Sequence, residues 1–214
     1  MRVGYSKKVL ELFLNPKNVG YMEDANVTSL TGSIACGDML KLYLKINPET
    51  EIIEKISFES YGCAANIATS SMITEMAKGK SVKEARGITF KEEVEELGGL
   101  PKIKYHCAVL SVKGLRLALE KWEVIQGRKT LNEDFVLELL RGIMDPHTDK
   151  DLVSAGIVKK VDVEGKRVEI VLALPEDEFK EEVLENVEEA FEKMDVELII
   201  NSIKPAKGEI SETS

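Results

Sequence analysis

Cysteine, histidine and long apolar runs are scarce in this chain of 214 residues, which has three cysteines and two histidines. No apolar stretch approaches the roughly 20 residues that a membrane-spanning helix needs. Residues 1–14 are amphipathic and carry no cleavage-site chemistry, so we expect no signal peptide. An odd, low cysteine count is typical of a reducing compartment, where thiols serve metals or catalysis rather than structural disulfides. We therefore expect a cytoplasmic protein that does not bind membranes.

Net positive charge is also missing, since the chain has 29 basic and 38 acidic residues and a formal net charge of −9. This balance argues against electrostatic binding of nucleic acid and against a basic helix on a membrane surface. The chain has neither a phosphate loop nor a GxGxxG motif, so nucleotide chemistry is not expected. A hydrophobic content of 43% is enough for a packed core in one large domain or two small ones.

Residues 1–126 are predicted to form an α+β domain, a small antiparallel sheet packed by helices. Ser6 can cap a short helix with Val9, Leu10 and Phe13 on one face. Strict alternation of apolar and polar residues predicts a strand over 39–46. A turn at 47–50 and a second strand at 52–60 complete the predicted hairpin. Three further helices are predicted. The first covers 64–78, the second runs from the Thr89/Glu92 capping box to 98, and the third covers 107–125.

Residues 127–131 are predicted to be a linker, because a new set of elements begins after them. We expect a second small α+β domain over residues 132–214, without cysteine. Its predicted elements are a helix capped by Asn132, a hairpin of strands 158–163 and 168–174, an acidic helix over 176–194, and a last strand over 197–203. The acidic run on that helix is most simply a solvated face, although a docking role is an alternative.

The three cysteines stand far apart in sequence but in similar surroundings. They occur in Ala35-Cys36-Gly37-Asp38, Tyr61-Gly62-Cys63 and Lys104-Tyr105-His106-Cys107. The predicted hairpin places Cys36 before its first strand and Cys63 after its second, so pairing brings both thiols to one end. Cys63 and Cys107 also lie at predicted helix N-termini, where unpaired N–H groups and the helix dipole favour a thiolate. Lys104 adds positive charge within one turn of Cys107.

The three cysteines and one neighbouring side chain would together supply four ligands to one metal site. Asp38 and His106 are both candidates for the fourth ligand. Four such ligands suit a zinc ion or one [2Fe–2S] cluster. A hard carboxylate among thiolates should hold an iron–sulfur cluster more weakly than a fourth thiolate would. A weak fourth ligand suits a protein that gives its cluster away.

The sequences around the cysteines resemble the IscU/NifU-type family of iron–sulfur cluster scaffolds over about residues 3–126. The three cysteine segments, and the small-residue helix after Cys63, fall in the family's order and spacing. The resemblance implies that Cys36, Cys63 and Cys107 are cluster ligands and that Asp38 keeps the cluster labile. His106 would be an alternative or nearby ligand. Cys107 would be the acceptor of persulfide sulfur from a cysteine desulfurase, with Lys104 as a supporting charge.

The second domain resembles the small domain at the N-terminus of Mrp-type iron–sulfur carriers and related cluster-targeting proteins. The residues that carry this resemblance are Asp145-Pro146, the segment 151–158 and the hairpin around Gly165. Many members of that group have a cysteine soon after the second hairpin strand, where this chain has Leu174-Pro175-Glu176. His147 follows Asp145-Pro146 in a predicted turn and is interpreted as a solvated loop residue rather than a ligand.

Together these features predict a two-domain scaffold that assembles a [2Fe–2S] cluster and transfers it to apo acceptor proteins. We expect no enzymatic activity, because no acid–base or nucleophile–base pair stands out. The expected partners are a cysteine desulfurase and apo iron–sulfur proteins, and the scaffold could form a homo-oligomer. One alternative is a zinc-binding sulfur acceptor or regulator of a desulfurase. The other is a sulfurtransferase that carries persulfide on Cys107.

Overall fold

The computed structural model describes residues 4–33, 37–148 and 150–205. The chain divides into two compact units, Met1–Lys129 (unit 1) and Thr130–Ser214 (unit 2). Each unit combines helices with a three-stranded sheet, which confirms the predicted α+β class. In the three described ranges, no helix has both the length and the apolar character needed to cross a membrane. Cys36 lies outside the described residues.

Unit 1 is an antiparallel sheet of order β1-β2-β3 with helices around it. Its elements are α1 (Lys7–Leu14), β1 (Val27–Ser33), β2 (Asp38–Ile46), β3 (Ile53–Tyr61), α2 (Ala64–Ala77), α3 (Val82–Arg86), α4 (Phe90–Glu96), a 3₁₀ turn (Lys102–Lys104) and α5 (Tyr105–Ile125).

The predicted hairpin of β2 and β3 is confirmed. The alternating apolar side chains of β2 are buried, as the period-two pattern requires: Leu40, Leu42, Leu44 and Ile46. Leu42 lies opposite Phe58 in the antiparallel register. Asn47 closes the turn, since its side-chain oxygen accepts hydrogen bonds from the backbone N–H groups of Glu49 at 2.9 Å and Thr50 at 3.0 Å.

The sequence did not predict β1, because apart from Val27 its buried side chains carry hydroxyl groups. Ser29 and Thr31 are buried, and Ser29 donates a 2.8 Å hydrogen bond to the carbonyl of Gly114 on α5. A Cβ atom at Gly114 would lie 3.0 Å from the Thr31 hydroxyl, so glycine allows α5 to approach the strand closely. A polar strand of this kind has no hydrophobic period to detect.

The helices of unit 1 follow their capping signals closely. Thr89 and Glu92 form the predicted capping box at the start of α4. A second box, formed by Ser81 and Glu84, starts the short helix α3, which was not predicted. The predicted inward residues of α5 are all buried: Leu110, Leu115, Leu119 and Trp122.

Helix α1 begins where predicted but faces the core differently. The Ser6 hydroxyl accepts the Val9 N–H at 3.1 Å, as the N-cap assignment requires. Val9 and Leu12 are buried, whereas Leu10 is 46% exposed and Phe13 38% exposed. The predicted face was therefore right for Val9 and wrong for Leu10 and Phe13, because this helix of eight residues contacts α2 along the narrow Val9–Leu12 line.

A buried acid lies between α4 and α5. Glu93 has no exposed surface, and both of its carboxyl oxygens lie 2.8 Å from the Ser111 hydroxyl. That hydroxyl also lies 2.9 Å from the Ala108 carbonyl, to which it can donate. Burial raises the pKa of Glu93 well above its usual value, and the Ser111 hydrogen bond lowers it only in part.

We expect Glu93→Gln to make the stability of unit 1 less dependent on pH. Because the pKa of Glu93 is raised in the folded state, its contribution to the free energy of unfolding is fully present below the pKa of the unfolded state. That contribution is lost as the pH rises through the pKa of the folded state. Urea unfolding between about pH 5 and about pH 8 tests this, because fluorescence of the single tryptophan, the buried Trp122, reports on unit 1. The exposed Glu95→Gln on the same helix is the control. Equal pH slopes for wild type and Glu93→Gln would contradict the assignment.

Unit 2 has a mixed sheet of order β4-β5-β6, in which β4 and β5 are antiparallel and β5 and β6 are parallel. Its elements are α6 (Glu133–Leu140), β4 (Val158–Glu164), β5 (Arg167–Ala173), α7 (Lys180–Ala190) and β6 (Glu197–Ile203). The Asn132 side chain caps α6 by accepting the Phe135 N–H at 2.9 Å, as predicted.

The acidic helix α7 is shorter than the predicted span of 176–194. Residues before it form a turn in which the Asp177 carboxylate accepts the Phe179 N–H at 3.0 Å. Val183 and Val187 are buried, while Glu181 and Glu185 point to solvent. The helix therefore has one narrow buried line and an exposed acidic face, as its charge pattern indicates.

Candidate metal centre

Three elements of unit 1 meet at the candidate metal centre. Asp38 is the first residue of β2, and Cys63 is the N-cap of α2 immediately after β3. The pairing of Met39 with Tyr61 brings these two positions together at the end of the hairpin. Cys107 lies in the first turn of α5. The structure thus brings together Asp38 and two of the three cysteines, Cys63 and Cys107.

The donor atoms form a continuous chain of short distances. The sulfurs of Cys63 and Cys107 are 3.8 Å apart, and Cys107 Sγ lies 3.5 Å from Asp38 Oδ2. The same Asp38 oxygen lies 3.8 Å from His106 Nε2. Donor atoms of Asp38, His106 and Cys107 all lie within 4.8 Å of one another, and this is a group able to hold a metal ion.

These distances match the edges of a metal coordination tetrahedron. Two sulfurs each about 2.3 Å from one zinc ion lie about 3.8 Å apart, and a sulfur and a carboxylate oxygen about 3.5 Å apart. The buried His106 Nε2 atom has no hydrogen-bond partner in the part of the chain that the structure describes. A buried polar nitrogen without a partner is costly unless an ion or water satisfies it. The residues present therefore fit a metal.

The surroundings of Cys107 disfavour its thiolate in the metal-free chain, against the expectation from its place at a helix N-terminus. Burial raises the pKa of the Cys107 thiol, and the charges of Cys63 and Asp38 raise it further. A bound cation removes this penalty, since a coordinating thiol is deprotonated outright. We therefore expect metal or cluster binding, rather than the protein alone, to create the Cys107 thiolate.

Lys104 brings its positive charge to Cys63 rather than to Cys107, beside which the sequence had placed it. Its ammonium group lies 3.4 Å from Cys63 Sγ. Burial acts to lower the pKa of Lys104, but the hydrogen bond to Cys63 and the charges of Cys63, Tyr5 and Cys107 together raise it. Lys104 therefore carries its charge beside the more accessible cysteine, since Cys63 is half-buried and Cys107 fully buried.

Two supporting contacts hold the Asp38–Cys63 pair. The Asp38 carboxylate accepts the Cys63 N–H at 3.1 Å. A Cβ atom at Gly62 would lie 2.3 Å from Asp38 Oδ1 and 2.6 Å from Asn66 Nδ2, so only glycine fits there. Asn66 is fully buried and donates to the Ser60 hydroxyl at 2.8 Å, which joins α2 to the end of β3.

Tyr5 and Asn66 were missed by the sequence interpretation. The pKa of Tyr5 is raised first by burial and then by the charge of Cys63, and lowered by Lys104, so its side chain lies within electrostatic reach of the centre. Nothing local marks Tyr5, which simply precedes the Ser6 N-cap. Asn66 gave a weak signal as a polar residue among small ones, one turn after Cys63.

Comparison with known proteins agrees with this site. The family model of the NifU-like N terminal domain matches residues 4–129, and a model described as an iron-sulfur cluster assembly protein matches residues 133–197. The chain thus carries both of these domains in sequence. The first match covers nearly the same residues as the predicted scaffold resemblance.

Curated relatives match mainly through unit 1. An iron-sulfur cluster assembly scaffold protein IscU from Aquifex aeolicus is 47% identical over 128 residues, which are 60% of this chain and 82% of the relative. The IscU 1 scaffold protein of Archaeoglobus fulgidus is 45% identical over 148 residues, 67% of this chain and 95% of the relative. The nitrogen fixation protein NifU of Azotobacter chroococcum is 43% identical over 118 residues, 55% of this chain and 38% of that protein. With unit 1 matched nearly from end to end, the chain belongs to the family of the NifU-like N-terminal domain.

Proposed function

We propose that this protein is a scaffold on which a [2Fe–2S] cluster is assembled and from which it is transferred to apo proteins. The observation that carries the proposal is the convergence of Asp38, Cys63 and Cys107, from three elements, at metal-ligand distances. Cys36 is the proposed third cysteine ligand, and His106 is an alternative or nearby ligand. The relatives named as cluster assembly scaffolds support this function.

The cluster is cargo rather than a resident cofactor in this proposal. Iron is supplied as the free ion, and a cysteine desulfurase supplies sulfur as persulfide, with Cys107 as its proposed acceptor. Each persulfide sulfur needs two electrons to become sulfide, and these come from an external reductant and from ferrous iron that is oxidised to ferric iron in the cluster. We propose that the protein is not an enzyme, because no acid–base or nucleophile–base pair stands out in its sequence. A reducing compartment such as the cytoplasm would keep all three thiols available.

Zinc binding at the same site is a second candidate, because the donor spacing fits one tetrahedral ion. A zinc-bound form would act as a sulfur acceptor or a regulator of a desulfurase. The sulfurtransferase alternative uses the same persulfide on Cys107 and differs from the scaffold in that it would turn over with no metal present. Because Cys107 is buried in the metal-free chain, both functions require the site to open to the sulfur donor.

Anaerobic reconstitution separates these functions. The metal-free chain is incubated with ferrous iron, cysteine, a desulfurase and a thiol reductant, and its visible spectrum is recorded. A scaffold develops the visible absorption of an iron–sulfur cluster, whereas a zinc protein stays colourless. A chain that binds zinc tightly but never gains colour would contradict the scaffold function.

For unit 2 we propose a role in directing the cluster to particular acceptors, in line with the resemblance to Mrp-type carrier domains. The match to an iron-sulfur cluster assembly protein model over residues 133–197 supports a role in the same process. Arg128 pairs with Glu51, and Lys129 with Glu120, so a truncated chain should retain residues 1–129. An acceptor protein bound to unit 2 would be tethered to the scaffold, which would raise the effective concentration of that acceptor near the cluster.

We expect the chain truncated to residues 1–129 to assemble a cluster normally but deliver it more slowly to acceptors that dock on unit 2. If docking uses the exposed glutamates of α7, its advantage should fall as salt rises, because surface charges are screened beyond about 10 Å at 0.1 M. Transfer rates to several acceptors at low and high salt measure this. The full-length chain with Glu181 and Glu185 changed to Gln is the companion variant. Unchanged rates for every acceptor would exclude a targeting role.

A further inference from the structure

Asn66 is a fully buried amide in the first turn of α2, three residues after Cys63. Its Nδ2 atom donates a 2.8 Å hydrogen bond to the Ser60 hydroxyl, and it also lies 3.3 Å from the Tyr61 carbonyl and 3.4 Å from the Met39 carbonyl. All three acceptors belong to the paired ends of β2 and β3, because Met39 lies opposite Tyr61. One side chain of α2 therefore holds both strands of the hairpin at the end that carries the metal centre.

The two strand ends held by Asn66 lead directly into two residues of the centre. Asp38 precedes Met39 in β2, and Cys63 follows two residues after Tyr61. The Asp38 carboxylate accepts the Cys63 N–H at 3.1 Å from across the hairpin. The spacing of these strand ends therefore decides whether that hydrogen bond forms.

Gly62 lets the Asn66 amide and the Asp38 carboxylate pack against the same backbone position. A Cβ atom at Gly62 would lie 2.3 Å from Asp38 Oδ1 and 2.6 Å from Asn66 Nδ2. The Asp38 oxygen concerned is the one that accepts the Cys63 N–H. Loss of the Asn66 amide would thus remove a group packed beside this carboxylate, as well as the bonds that hold the strand ends.

The start of α2 shows why Asn66 is free to hold the hairpin. In a capping box, the side chain at the third helical position accepts the N–H of the N-cap residue. Asn66 occupies that third position and Cys63 is the N-cap, but Asp38 from β2 accepts the Cys63 N–H instead. The Cys63 side chain makes no capping hydrogen bond either, which leaves its thiol for a metal.

The other end of the Asn66 amide indicates that this residue is not kept for stability alone. Because Nδ2 faces three oxygens, the orientation of the amide is defined, and Oδ1 is then buried without a hydrogen-bond partner among the residues that the structure describes. A buried acceptor of this kind is destabilising, whereas an apolar side chain of similar shape avoids the penalty. Such local conflicts are expected at functional sites.

We propose that Asn66 is a positioning residue of the metal centre, which holds the paired ends of β2 and β3 against α2 so that the Asp38 carboxylate stays on the Cys63 N–H. The positioning itself is a property of the metal-free chain. Its consequence for cluster transfer rests on the proposed scaffold function. With Asp38 displaced from its place beside Cys107, transfer should slow, as it should when Asp38 is replaced by alanine.

Amide hydrogen exchange in the metal-free chain tests the positioning. Asn66→Ala and Asn66→Leu both remove the donor, but the first leaves a cavity and the second fills it. Both should make the Cys63 N–H exchange roughly tenfold faster, because its hydrogen bond to Asp38 is then formed for less of the time. Wild-type exchange at Cys63 in both variants would overturn the proposal.

Two further variants keep this test decisive. Ser60→Ala removes only the nearest acceptor of the Asn66 amide and should also speed Cys63 exchange, so it replaces the Asn66 variants if these do not fold. The control is Ser70→Ala on the same helix, because Ser70 is fully buried and its hydroxyl has no hydrogen-bond partner within the described ranges. This control should leave Cys63 exchange unchanged. An effect equal to that of Asn66→Ala would mean that any change in α2 disturbs the centre, and would overturn the assignment.

Cluster transfer from reconstituted protein tests the consequence. Asn66→Leu should slow transfer to an apo acceptor by up to about tenfold, the lower end of the effect of losing a group that supports a metal ligand. In the Asp38→Ala background it should cause no further slowing, because Asn66 acts through Asp38. A wild-type rate in Asn66→Leu, or full additivity with Asp38→Ala, would overturn this route. If the wild-type chain forms no cluster, the scaffold function fails, whereas the exchange result still decides the positioning.

Discussion

Cys63→Ser and Cys107→Ser are each expected to abolish stable cluster assembly, and Cys36→Ser should do the same. A serine hydroxyl remains protonated at neutral pH and binds soft iron–sulfur centres poorly compared with a thiolate. The two described sulfurs lie 3.8 Å apart, and the chain has no fourth cysteine to replace a lost ligand. Loss of one ligand therefore leaves an incomplete set.

The measurement is visible absorption after anaerobic reconstitution, followed by gel filtration to remove loosely bound iron. Val109→Ser is a matched control, because Val109 is an exposed residue of α5 close to Cys107 without a donor atom. Trp122 fluorescence checks that each variant is folded. If two of the three cysteine variants retain a cluster as wild type does, the proposed ligand set is wrong.

Asp38→Ala is expected to slow cluster transfer by roughly tenfold or more, a change of about 1.4 kcal/mol in the barrier. The Asp38 carboxylate lies 3.5 Å from Cys107 Sγ, where it can act as the hard, weakly held ligand or help an acceptor thiol displace the cluster. Removing it should also increase the fraction of protein purified with a cluster.

Asp38 also supports the cysteine loop, and a conservative variant can distinguish this role from the effect of its charge on transfer. Its Oδ1 atom accepts the Cys63 N–H, so Asp38→Ala also removes a support of the cysteine loop. Asp38→Asn keeps an acceptor at that position but removes the negative charge. Transfer to an apo acceptor is measured for both variants by the change in visible absorption or circular dichroism. If transfer is slow in both variants, the charge of Asp38 is what speeds transfer in the wild type. If only Asp38→Ala is slow, the support of the cysteine loop is responsible. Wild-type rates in both variants exclude both roles.

Local sequence signals were sufficient for much of unit 1. The alternation in residues 39–46 predicted β2, and the Thr89/Glu92 spacing predicted the start of α4, because each signal acts within one element. The hairpin prediction placed Cys36 and Cys63 at the same end, since antiparallel register follows from a short turn. Cys36 lies outside the described residues, and the structure places Asp38, at the start of β2, beside Cys63. The strand β1 was missed because most of its buried side chains carry hydroxyl groups, which leaves no hydrophobic period to detect.

The sequence by itself determined most of the elements, the three-cysteine pattern and the division into two parts. Only the tertiary structure decided which groups share an environment. It buried Asp38 and Cys107 together, and it placed His147 between carboxylates that are 32 residues apart in sequence (177 − 145). Periodicity and caps report on neighbours within an element, whereas donor distances and desolvation depend on how distant segments pack, so the chemistry of the metal centre appeared only in the fold.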